Sequence, residues 1–272
     1  MAPTTREGAG RTALVTGASA GIGLALAEVL AERGFDLVLT ARREDRLQAL
    51  AGRLAAAHGI KVHVLPCDLA DPSAPARLVG ELEARALPID VLVNNAGFGV
   101  PGRYADSTWA QQAEFLQVLV TAVAELTHRL LPGMIARRWG RVLNVASLAA
   151  HVPAAAGHTL YAAAKAFVLK FSEALAAETA RHGVLVTASC PGFTYTEFHD
   201  VVGTRVQVST MPGILWQDAR AVAEESYAAL MAGRPVVLTG RVNKVVARAV
   251  RYAPDWLSRA VVARMGRSYR KL

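Results

Sequence analysis

The chain has 272 residues, of which 53% are hydrophobic and 19% charged, a balance that excludes a disordered polypeptide and supplies a sizeable core. Its formal net charge of +8 is not spread evenly: residues 1–240 are balanced, and the whole excess lies in 241–272. A nucleic-acid binder more often carries its basic face over the body of the fold, so nucleic acid is not expected as a partner.

In chain order, short β-branched runs alternate with longer Ala-, Leu- and Arg-rich stretches. Strands are expected at 12–15, 36–40, 61–65, 90–93, 141–145, 184–189 and 236–239, with helices including 23–33, 44–57, 108–138 and 157–182. Nearly continuous apolar strands separated by helices imply a parallel sheet covered on both faces. Right-handed crossovers then give a Rossmann-like, doubly wound α/β fold of about seven strands. Pro72, Pro75, Pro88 and Gly140 punctuate the joints. Segment 193–218 is weakly periodic and long for a structureless loop, as lids often are. One catalytic domain is expected over 1–240, with a helical extension over 241–272.

The first strand runs into Thr16-Gly17-Ala18-Ser19-Ala20-Gly21-Ile22-Gly23 and then a helix. Small residues there admit a pyrophosphate to the helix N-terminus, where backbone N–H groups bind anions. The second strand ends in Thr40-Ala41-Arg42-Arg43, with no acid after Asp36 at its start. An NAD site usually places an acid near that end, whereas an NADP site supplies a cation for the 2′-phosphate. Arg42 is expected to meet that phosphate, with Arg43 assisting. The competing reading is two solvated arginines, but a helix N-terminus disfavours cations and their presence there calls for a reason.

Tyr161 and Lys165 lie four residues apart on one helix face, and Ser147 ends the fifth strand. A nearby cation favours the phenolate and would lower the phenol's pKa from its usual value of about 10. Ser147 could then bond the substrate oxygen while Tyr161 exchanges the proton. Taken alone, the spacing fits equally an amphipathic helix with a core aromatic and an exposed lysine.

These residues, together with Cys67-Asp68-Leu69, Asn94-Asn95-Ala96-Gly97 and Pro191-Gly192, resemble the short-chain dehydrogenase/reductase family over about residues 11–240. The resemblance implies that Asp68 and its neighbour Leu69 lie near the adenine and that Asn95, Ala96 and Gly97 shape the cofactor cleft. It implies Ser147, Tyr161 and Lys165 as the catalytic set, with Tyr161 and Lys165 also touching the cofactor. Pro191, Gly192, Thr194 and Thr196 match positions at the nicotinamide, and the glycine motif contributes Gly17, Ser19, Gly21, Ile22 and Gly23. Two departures stand out. Many family members carry an Asn thirteen residues before the Pro of an LLPxM-like segment, where this chain has Leu119. That Asn helps to order a proton-relaying water, which leucine cannot do. The loop 148–160 is slightly longer than is common, and its His151 and His158 read as solvated loop residues without metal-ligand spacing. No metal is expected.

Beyond residue 240, Val242, Val245, Val246, Ala249 and Val250 recur at helical spacing, with Arg241, Lys244, Arg248 and Arg251 on another face. After Ala253-Pro254, Trp256, Leu257, Ala260, Val261 and Met265 read as a second amphipathic helix. Such a pair can lie on an anionic membrane surface; the favoured reading is an apolar face packed on the body or on a partner subunit. Cys67 and Cys190 fit no disulfide framework, and a reducing, cytoplasmic setting is the expectation. Neither a signal peptide nor a run of about 18 uncharged apolar residues is visible. The chain therefore reads as an NADP(H)-dependent oxidoreductase, expected to form a homo-oligomer, that interconverts a fairly apolar carbonyl compound and its alcohol. The alternatives are a nucleotide-binding regulatory or scaffold protein that has lost turnover, and an epimerase or dehydratase on the same fold. Phe98, Trp109, His158, Phe193, Tyr195 and Trp216 are expected around the substrate.

Overall fold

The computed structural model describes residues 6–100, 102–154, 156–157, 159–197, 213–254, 256–258 and 260. Seven parallel strands, β1 (Thr12–Thr16), β2 (Asp36–Thr40), β3 (Val62–Val64), β4 (Val91–Asn94), β5 (Gly140–Val145), β6 (Val184–Cys190) and β9 (Val236–Leu238), form one sheet. Their order is β3-β2-β1-β4-β5-β6-β9. The chain reverses direction across the sheet between β1 and β4, and the crevice at their carboxyl ends is where such folds bind ligands. The strands are apolar almost throughout because helices cover both faces.

Helices α1 (Gly21–Glu32), α2 (Glu44–His58) and α7 (Ala219–Met231) cover one face. Leu26, Leu30, Leu47, Leu54 and Leu230 pack there against Val15, Leu37 and Leu39. The other face carries α3 (Ala74–Ala84), α4 (Trp109–Leu116), α5 (Ala122–Ala136) and α6 (Thr159–Thr179). Leu78, Leu82, Phe115, Leu126 and Leu175 meet Leu14, Leu92 and Val142 on that side. The helix expected over 108–138 starts at a capping box, where Thr108 accepts from the Gln111 N–H and the Gln111 side chain accepts from the Thr108 N–H. It is then interrupted by a π turn over Gln117–Thr121. Helical run Trp109–Ala136 is long and apolar enough to span a membrane by length and composition. Phe115, Leu119 and Leu126 are buried in the core, which accounts for that composition.

The ends of the expected lid pair with each other: β7 (Phe193–Thr194) and β8 (Trp216–Gln217) form a short parallel ladder. Residues 198–212 between them, and His158, lie outside the described residues.

Beyond β9, α8 (Arg241–Tyr252) packs differently from the expected apolar face. Asn243 and Ala247 point inward, while Val245 is 66% and Tyr252 81% exposed. The reason is polar. Asn243 Nδ2 donates to Gln217 Oε1 (2.9 Å) and to the Thr239 carbonyl (3.0 Å). A Cβ on Gly192 would overlap that amide. The helix is thus rotated to satisfy a buried amide beside the Pro191-Gly192 turn, which leaves Val245 outside. Trp256 is also exposed, so the described part of the tail is packed on one side only. Val261, Met265 and the last four basic residues, from Arg264 onward, lie outside the described residues.

Candidate active site

The turn from β1 into α1 is built by close packing. Gly17 (φ +66°) and Gly21 (φ +58°) take left-handed backbone conformations that favour glycine. A Cβ on Gly17 would come within 2.9 Å of Ala96 Cα, and one on Gly21 within 3.0 Å of Thr196. Thr16 Oγ1 donates to the Val93 carbonyl (3.1 Å) and accepts from the N–H groups of Asn95 (2.9 Å) and Ala96 (3.0 Å). Asn95 Nδ2 returns bonds to the carbonyls of Thr16 (2.9 Å) and Gly17 (3.3 Å). Asn95 and Ala96 therefore hold the two turns together. Helix α1 begins at Ala20 with no side-chain cap and no acid in its first turn. The first-turn N–H groups of Gly21, Ile22 and Gly23 have no acceptor within the helix, which is the donor set a pyrophosphate needs.

Beside this cradle, the arginine that turns inward is Arg43. It donates from Nε (3.3 Å) and Nη2 (3.1 Å) to Ser19 Oγ, and from Nη1 to Glu197 (2.8 Å). Arg42 is exposed. Asp36 is engaged at the other end of β2, accepting from the Lys61 N–H at 2.8 Å. Asp68 is exposed and accepts from the Ala70 N–H (3.0 Å), while Leu69 is buried. Thr194 donates to the Gly192 carbonyl at 3.1 Å. Thr196 stands against Gly21, at the cradle end of the crevice.

Ser147 follows β5, and its Oγ accepts from the Ala149 N–H at 3.1 Å. Tyr161 lies close enough for the Ser147 hydroxyl to act on the phenol, in the direction that lowers its pKa. Lys165, one turn along α6, is buried and donates from Nζ to the Val145 carbonyl at 2.7 Å. The three residues meet at the carboxyl end of β5. The electrostatics differ from the expectation. Burial pushes the Tyr161 phenol upward, and the Ser147 hydroxyl opposes it only in part. Lys165 turns to the end of β5, with Nζ 5.8 Å from the Tyr161 ring centroid. Its own pKa is pushed down to about 8 by burial. Tyr161 is thus protonated at neutral pH, the state a proton donor requires.

Beneath the site lies a buried polar chain that pattern reading missed. Asn94 Nδ2 donates to Asn144 Oδ1 (2.8 Å) and Thr127 Oγ1 (3.1 Å), and Asn144 Nδ2 donates to Ser172 Oγ (2.9 Å). It ties β4 and β5 to α5 and α6 and so fixes the helix that carries Tyr161. The available signal was Asn144, a polar residue inside an apolar strand. A cleft beside Tyr161 is lined by Val100, Tyr104, Phe115 and Leu160 among others. Phe98 packs edge-on against Phe115. Trp109 is 67% exposed, and Phe193, Tyr195 and Trp216 cluster with one another at β7–β8.

Leu119 lies in the π turn, 1% exposed, with its side chain 3.7 Å from where a Gly97 Cβ would stand. Leu119→Asn would bury an amide among Phe115 and Leu126, costing about 1–3 kcal/mol if it is left unpaired. We expect a lower melting temperature and no gain in rate. Faster turnover at an unchanged melting temperature would show that the amide finds a working place.

The chain is similar to known proteins along most of its length. A family model described as short chain dehydrogenase matches residues 11–206. The ketoacyl reductase HetN of Nostoc sp. is 34% identical over 205 residues, which is 75% of this chain and 70% of that protein. A short-chain dehydrogenase from Sphingobium yanoikuyae, solved in complex with NADPH, superposes with a TM-score of 0.78 at 33% identity, covering 92% of this chain and 93% of the other. A short-chain dehydrogenase/reductase from Burkholderia phymatum, solved in complex with NAD, gives a TM-score of 0.78 at 25% identity, with coverages of 89% and 93%.

Proposed function

This chain belongs to the short-chain dehydrogenase/reductase family of oxidoreductases, and we propose that within it the protein is an NADP(H)-dependent enzyme that reduces a ketone or aldehyde to an alcohol, or runs the reverse reaction. The observation that carries this reading is the meeting of Ser147, Tyr161 and Lys165 at the end of β5. They share the carboxyl edge of the sheet with the uncapped start of α1. A nicotinamide dinucleotide fits that edge: its pyrophosphate would lie on the N–H groups of Gly21, Ile22 and Gly23. When bound, the nicotinamide supplies or accepts the hydride. In the reduction direction, Ser147 holds the carbonyl oxygen and Tyr161 donates a proton to it as negative charge develops. Lys165, anchored on the Val145 carbonyl, places a cation behind Tyr161. Val100, Phe115 and Leu160 give the cleft an apolar wall, which favours a fairly apolar carbonyl compound.

The preference for NADP(H) is supported by Arg43 on the Ser19 hydroxyl, by Arg42 at the same strand end and by the engagement of Asp36 elsewhere. The test is single-turnover oxidation of bound NADPH by a panel of ketones and aldehydes, with Kd values for NADPH and NADH in Arg43→Ala and Arg42→Ala. Turnover is expected, and Arg43→Ala should weaken NADPH by roughly tenfold, the worth of one hydrogen bond to a charged group. NADH should change little. Equal losses for both cofactors would reject the NADP(H) assignment. Bound NADPH that no carbonyl compound oxidises would reject the enzymatic one.

A further inference from the structure

We propose that Glu197 sets how strongly this protein discriminates NADP(H) from NAD(H), by occupying the guanidinium groups that the 2′-phosphate would use. The inference rests on the NADP(H) reading above. Glu197 follows Thr196, the residue that stands against Gly21, so its carboxylate is held at the rim of the glycine cradle. Its Oε2 accepts from Arg43 Nη1 (2.8 Å) and Arg46 Nη1 (2.9 Å), and its Oε1 from Arg46 Nη1 (2.7 Å). Arg43 turns its remaining edge, Nε and Nη2, to Ser19 Oγ inside the cradle. One guanidinium therefore joins the cradle to a carboxylate at the end of β2, where the 2′ substituent of the adenosine ribose is read.

Arg43 caps α2 and Arg46 sits in its first turn. Glu44 and Asp45 in the same turn already suit the helix N-terminus, yet the carboxylate that both guanidinium groups meet is that of Glu197. The two guanidinium groups hold its carboxyl below the usual carboxylate range. A 2′-phosphate must meet this carboxylate in one of two ways. It can take the donors of Arg43 and Arg46 and release Glu197. It can share Arg43 with Glu197 and bear the repulsion of a second anion close by. Both act against NADP(H), and neither acts on NAD(H), which lacks that phosphate. The side chains of Arg43, Arg46 and Glu197 are 40%, 44% and 45% exposed, so the effect is that of a half-solvated ion pair.

The test is titration of the full chain, Glu197→Gln and Glu197→Ala with NADPH and with NADH, at low and raised salt. Both variants are expected to bind NADPH roughly two- to fivefold more tightly, the span measured for exposed ion pairs, with NADH unchanged. The gain should shrink as salt rises. Weaker NADPH binding in the variants would overturn the proposal, since Glu197 would then be orienting Arg43 for the phosphate. No change, or equal changes for both cofactors, would overturn it as well. If the unaltered protein shows no preference for NADPH, the cofactor reading fails separately. The shift between it and Glu197→Gln still decides this inference.

Discussion

Tyr161→Phe is expected to lower turnover by about 10²–10⁴-fold, the usual worth of general acid–base catalysis, with the Kd for NADPH almost unchanged. The ring stays in place beside Leu160 and the cleft, and only the hydroxyl that faces Ser147 is lost. Stopped-flow oxidation of NADPH by a carbonyl substrate measures the chemical step, and a fluorescence titration measures binding. A loss under about tenfold would contradict the role of proton donor. The pH dependence has a definite sign. Burial raises the phenol above its ordinary value of about 10, so the proton remains available through neutral and mildly alkaline pH. Reduction should therefore hold through neutral pH, fall first near pH 8 where the buried Lys165 gives up its charge, and fall again as pH rises through the raised phenol value. A fall already at neutral pH would mean that another group limits the rate.

Gly23→Ala is expected to disable the cofactor cradle and lower stability together. A Cβ at this position would overlap Asn95 Nδ2 and the Gly17 carbonyl. Neither can move aside, because Asn95 Nδ2 is bonded to the carbonyls of Thr16 and Gly17. Overpacking of this kind costs about 1–3 kcal/mol. The strain falls on the first turn of α1, whose N–H groups would hold the pyrophosphate, so NADPH and NADH should be lost equally. Gly52→Ala is the internal control. Nothing lies within 4 Å of a Cβ there, in the middle of α2. It should stabilise the protein by about 0.5–1 kcal/mol and leave cofactor binding intact. Differential scanning calorimetry with cofactor titration separates the two. If Gly23→Ala retained normal binding of both cofactors, the cradle would not be where the pyrophosphate sits.

The sequence by itself determined the elements and the edge of the sheet at which the chemistry gathers. The apolar strands, the glycine-rich turn into α1 and the four-residue spacing of Tyr161 and Lys165 are local features. Hydrogen-bond ladders and helical period act over a few residues, so they are readable without tertiary information. Right-handed crossovers narrow the topologies, but the order β3-β2-β1-β4-β5-β6-β9 was decided by the tertiary structure. It alone also decided where individual polar side chains find partners. Arg42 and Arg43 are adjacent in sequence, yet Arg43 turns to Ser19 because a distant residue, Glu197, is brought to its other edge. Lys165 is drawn to the Val145 carbonyl, and that takes it toward β5. Asn243 rotates α8 because a buried amide must be bonded to Gln217 and Thr239, and that outweighs covering Val245. The π turn at Leu119 leaves no periodic signature of its own. Glu197 and Gln217 lie far along the chain from Arg43 and Asn243, and for the buried Lys165 and Asn243 the cost of leaving a polar group unpaired sets the outcome.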